Sequence, residues 1–168
     1  VSMGGMIAQR MAIAAPQRLL SLTSIMSTSG ARGLPEATPK VRRVMLRSPA
    51  SPALEDIVAH YAHLYKTIGS PAYPASDADL LERVNLSVRR SYRPQGTARQ
   101  LVAIAADGDR SRLIAGIKLP TQVLHGQHDP LVPVAAGHDL AAKIPGAQLE
   151  VIDGMGHDLP VPLWPRFV

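Results

Sequence analysis

Two short apolar runs with one helical pattern between them constrain this chain more than any other feature. Thr121–Leu124, preceded by Pro120 and followed by His125, Gly126 and a loop, has the length and composition of a strand. So do Leu149, Val151 and Ile152, which end at Asp153 and Gly154. Between the two, Ala135–Ile144 reads as a helix stopped by Pro145 and Gly146. The same alternation begins the chain. Met6, Ile7, Ala8, Met11, Ala12, Ile13 and Ala14 give residues 4–15 helical spacing, and Pro16 closes the pattern. Arg18–Met26 then passes through Leu19, Leu20, Leu22 and Ile25 as a buried strand that ends in Ser27–Gly30. Strands alternating with helices predict an α/β fold with a mostly parallel sheet covered on both faces.

The texture changes between Gly33 and about Pro94. Pro35, Pro39, Pro49, Pro52, Pro71 and Pro74 break up short helical patterns at Leu54–Ile68 and Asp77–Arg90. Because α/β elements resume afterwards, this stretch reads as a helical insertion rather than a second domain. The expected organisation is a core of residues 1–32 and 95–168 with a cap at 33–94. Gln95–Ala106 reads as a helix and Asp109–Ile117 as a shorter one.

Three positions at strand ends could carry chemistry. Val1-Ser2-Met3-Gly4 supplies the last four positions of a G-x-S-x-G nucleophile elbow, where a strained turn between strand and helix exposes a serine hydroxyl. Gly4 is expected to leave room for the turn, Gly5 to let the helix approach a strand, and the Met3 N–H to be one oxyanion donor. Taken alone, Ser2 would more simply be a helix N-cap. Asp129, in His125-Gly126-Gln127-His128-Asp129-Pro130, lies just past a strand, where sites in α/β sheets form; alone, it would be an Asp-Pro turn starter. His157 lies in Asp153-Gly154-Met155-Gly156-His157-Asp158, a glycine-rich loop that can lean over the sheet. Jointly they occur in the order Ser, Asp, His, which is that of the α/β-hydrolases and of neither protease archetype.

The segments Val1–Gln9, Arg99–Arg110, Leu119–Pro133 and Ile144–Pro160 resemble the α/β-hydrolase family, and more narrowly its aclacinomycin-methylesterase-like carboxylic-ester hydrolases. The resemblance implies that Ser2 is the nucleophile, His157 the base and Asp129 the acid of a serine esterase acting on small-molecule esters, with no metal or organic cofactor. It also implies that the chain is the C-terminal part of the fold, with the family's earlier strands and second oxyanion donor expected upstream of Val1. Within this fold, acyl transfer, cofactor-free haloperoxidation and C–C bond hydrolysis use the same triad. A binding protein lacking catalysis is the remaining alternative.

Composition narrows the partners. Lys and Arg exceed Asp and Glu by 18 to 13, but the cluster Lys40, Arg42, Arg43 and Arg47 has no aromatic partners, and one Phe, one Trp and four Tyr leave little for stacking bases. No nucleic-acid partner is expected. No apolar run reaches the roughly 18 residues of a membrane span, and the cytoplasm is the default location. The absence of cysteine excludes a thiol nucleophile and thiolate zinc sites. His125, His128 and Asp129 match no strong metal spacing. His60, His63 and His138 are expected to be exposed or structural, and Asp153 and Asp158 to cap the base loop.

Overall fold

The computed structural model describes residues 1–167. Its sheet has three parallel strands in the order β1-β2-β3: β1 Leu22–Ile25, β2 Thr121–Gly126 and β3 Gln148–Ile152. β2 runs two residues beyond Leu124, pairing His125 with Val151 and Gly126 with Ile152. As the central strand it is buried at every position but Gln122, as a strand covered on both faces should be.

Side-chain alternation divides the core into two faces. Leu22 and Val123 point to one face, where helices α1 (Met3–Ala14), α6 (Ser111–Ile114) and α7 (Ala135–Lys143) add Ala12, Ile114 and Leu140. Ile25 and Leu124 point to the other and pack with Met26, Ile152, Met155 and Leu163 beneath the strand ends. α1 stops where expected: Pro16 forces Ala15 out of helical geometry, to φ −145° and ψ 57°, and starts a short 3-10 turn at Pro16–Arg18.

Between β1 and β2 lie α2 (Pro39–Met45), α3 (Leu54–Ile68), α4 (Asp77–Arg90) and α5 (Pro94–Asp107). The boundaries of α3 and α4 match the sequence reading. Each has acidic residues in its first turn and basic ones in its last, and Ser76 Oγ caps α4 by accepting from Asp79 N at 3.1 Å. α2 was read only as broken texture. Pro39 occupies its first turn, where a missing N–H costs nothing, and Thr38 caps it. α3 and α4 share a small core of Val58, Ala62 and Val84. Among the apolar residues of this segment, Met45, Leu46 and Tyr65 are exposed. Among the described residues, no helix is long and apolar enough to cross a membrane.

Candidate active site

Ser2 sits where the chain turns into α1. Its N–H donates to Ile25 O at the end of β1 (2.9 Å), and Ser27 Oγ donates to Ser2 O (2.8 Å). Held from both sides, Ser2 adopts φ 49° and ψ −122°, a region that costs a non-glycine residue about 1–3 kcal/mol. The serine makes no N-cap bond; its hydroxyl lies 3.0 Å from His157 Nε2. Gly5 is where α1 meets the strand: a Cβ there would stand 2.6 Å from Ser27 Cβ. Gly4 faces open space, so nothing nearby demands a glycine there, contrary to the expectation that it makes room for the turn.

Asp129 uses its two carboxylate oxygens differently. Its Oδ1 accepts the N–H groups of Leu131 (2.9 Å) and Val132 (2.8 Å), as a turn-starting aspartate does. Its Oδ2 remains for the Nδ1–H of His157 at 2.7 Å. With that proton facing the carboxylate, Nε2 is free to accept from the Ser2 hydroxyl. Ser2, His157 and Asp129 thus form one hydrogen-bonded series at the carboxyl end of the sheet, with His157 in the middle. Met3, the first residue of α1, is half-buried beside Ser2.

The other histidines near the acid are otherwise engaged. His125 is fully buried; its Nε2–H donates to Val132 O (2.8 Å) and lies 3.6 Å from Asp129 Oδ2. Burial, opposed by the Val132 carbonyl and the Asp129 charge, holds its pKa below the ordinary histidine value. His128 Nδ1 accepts from Gly154 N at 3.2 Å. Among the described residues, no group of three or more His, Asp or Glu side chains is arranged to hold a metal ion. Asp153 caps the base loop through Gly154 N (2.9 Å), but Asp158 does not. Its carboxylate instead accepts from Ser70 Oγ in the α3–α4 connection, and burial pushes its pKa above the usual carboxylate value despite that bond.

The glycines of the base loop answer to two neighbours. Gly154 (φ 71°) would set a Cβ 2.3 Å from Ala72 Cβ, and Gly156 would set one 2.4 Å from Gly69 O. On the sheet side, a Cβ at Gly126 would stand 2.4 Å from Met155 O. The sequence showed that the loop needed glycines. It did not show that residues 68–72 were what they made room for. Ser2 and His157 open onto a cavity of ≈ 610 Å³ whose walls are mainly apolar, including Tyr65, Ile68, Leu80, Val84 and Leu159.

Comparison with known proteins identifies relatives of the chain. The chain is 28% identical over 162 residues to a pimeloyl-[acyl-carrier protein] methyl ester esterase of Aliivibrio salmonicida, covering 93% of this chain and 59% of that protein. It is 26% identical over 185 residues to a rhodomycin D methylesterase of a Streptomyces species, covering 96% of this chain and 60% of that protein. The chain therefore spans about three fifths of the length of these relatives. A meta-cleavage product hydrolase from Pseudomonas fluorescens shares the fold with a TM-score of 0.72 at 20% identity, covering 99% of this chain and 59% of that one. A family model described as alpha/beta hydrolase fold matches residues 1–161. Since that match spans nearly the whole chain, the chain belongs to the alpha/beta hydrolase fold family.

Proposed function

We propose that the protein hydrolyses carboxylic esters through an acyl-enzyme, with Ser2 as nucleophile, His157 as general base and Asp129 as the group that orients and charge-stabilises the imidazole. The observation that carries this reading is the series Ser2 Oγ to His157 Nε2 (3.0 Å) and His157 Nδ1 to Asp129 Oδ2 (2.7 Å), opening onto an apolar cavity. His157 takes the Ser2 proton as Oγ bonds to the ester carbonyl carbon. The Met3 N–H, at the positive end of the α1 dipole, donates to the oxyanion. Collapse of the tetrahedral adduct breaks the C–O bond to the alcohol, which leaves with the proton from His157. Water then attacks the acyl-enzyme, His157 receives its proton, and Ser2 regains it as the acid departs. These steps draw only on protein groups and water.

Residues 33–94 form the cap in this reading, resting on the core of 1–32 and 95–168. Its α3 and α4 supply the cavity walls at Tyr65, Ile68, Leu80 and Val84, which suits a small-molecule ester with an apolar body. Two relatives are named as methyl ester hydrolases, which supports a small alcohol portion.

The test is active-site labelling. A fluorophosphonate should modify the purified protein at Ser2, and p-nitrophenyl ester hydrolysis should fall on the order of 10⁴- to 10⁶-fold in Ser2→Ala. Hydrolysis that persists at the original rate in Ser2→Ala would overturn the reading.

A further inference from the structure

The base loop leaves the sheet at Ile152, and the sheet holds it as far as Met155, whose carbonyl accepts from His128 N at 3.0 Å. Beyond Met155 its ties run to the α3–α4 connection. Gly156 N donates to Ser70 Oγ at 2.9 Å, His157 N donates to Ile68 O at 2.7 Å, and the Asp158 carboxylate accepts from Ser70 Oγ. Two residues earlier, Gly154 O accepts from Ala72 N at 3.1 Å. The residue that bears the imidazole and both its neighbours are thus fastened, one after another, to residues 68–70.

We infer that Ser70 is a positioning residue for the base: its hydroxyl, with the Ile68 carbonyl, sets the backbone at 156–158 so that the His157 ring spans Ser2 and Asp129. This rests on the hydrolase reading and adds to it a residue that touches none of the reacting atoms. Ser70 is 3% exposed, and its hydroxyl is used in both directions, accepting on one side of His157 and donating on the other. Removing it leaves the Gly156 N–H without its acceptor and takes the hydroxyl donor from the half-buried Asp158 carboxylate, which keeps only the Ser70 backbone N–H. A loop that carries glycines at 154 and 156 can relieve both by moving. The imidazole bridges atoms 3.0 and 2.7 Å away, so little movement is tolerated. A misplacement of about 1 Å costs catalysis on the order of 10²-fold.

A purely structural serine and a positioning serine differ in what their loss changes. In Ser70→Ala, and to a lesser degree in the near-isosteric Ser70→Cys, kcat for a p-nitrophenyl ester should fall tenfold or more while KM changes less, since Ser70 lines the cavity wall but, at 3% exposed, offers substrate little surface. The rate of fluorophosphonate labelling at Ser2 should fall in parallel. The low-field proton resonance of the His157–Asp129 hydrogen bond should shift or broaden, a change that loss of stability in a still-folded protein does not produce. Should Ser70→Ala not fold, Ser70→Cys gives the same readings. If the unmodified protein labels at Ser2 and the variants label equally fast with the resonance unmoved, the inference is overturned while the hydrolase reading stands. If the unmodified protein does not label at Ser2, the hydrolase reading itself has failed, and the inference falls with it.

Discussion

His125 has one ring nitrogen donating to Val132 O and, among the described residues, no partner for the other. Folding therefore buries it neutral, and protonation favours the unfolded chain. With the folded pKa below the unfolded value of 6.5, its contribution to stability is fully present above that value and is lost as pH falls from there through the lowered one. His125→Asn retains a donor for Val132 but no titration. Urea midpoints of the unmodified protein should drop between about pH 7 and about pH 5 more steeply than those of His125→Asn, and parallel curves would contradict the assignment. At this scale, Ser2, Asp129 and His157 were legible because each stands beside glycines or a turn at the end of an apolar run. Ser70 was not. Its partners lie 86 and 88 residues away, and a serine between Gly69 and Pro71 looks like any loop serine.

The start of α1 contains two adjacent glycines with opposite requirements. Gly5→Ala would drive a Cβ into Ser27, which cannot yield without moving the strand end that braces the elbow, and should cost about 1–3 kcal/mol. Gly4→Ala meets nothing and, by helix propensity, should gain up to about 1 kcal/mol. Denaturation of the two variants decides it; a loss in both would mean that Gly4 has a role the packing does not reveal. Elements were legible where their signals were local: helical patterns bounded by prolines match α3 and α4 to the residue. α2 is not legible in the sequence because proline acts as a breaker inside a helix and as a starter in its first turn, and only the folded surroundings distinguish the two.

For the molecule as a whole, one buried cation joins segments far apart in sequence. Arg110, 1% exposed, donates to Gln9 Oε1 in α1 (3.1 Å), to Thr28 O beyond β1 (2.7 Å), to Gly108 O (3.1 Å) and to the Asp107 carboxylate. Arg10 pairs with the same carboxylate from the surface, with its side chain 43% exposed. Arg110→Met should cost about 3 kcal/mol and lower Tm on the order of 10 °C, whereas Arg10→Ala should cost about 1 kcal/mol or less. Equal losses by calorimetry would mean that burial is not what gives Arg110 its weight. This joint was invisible in the sequence, which showed parallel strands and covering helices but not that the loop after β1 meets the turn before α6. The base loop raises a different matter, that of modularity. Because residues 154–158 are hydrogen-bonded to residues 68–72, the proposed cap and the proposed base do not occupy separable parts of this chain. Exchanging the proposed cap for the matching segment of a relative, in the laboratory or by recombination, would bring in a foreign seat for the histidine along with a new cavity. The smallest fragment that can be transplanted intact is therefore discontinuous: residues 33–94 together with the loop that carries His157.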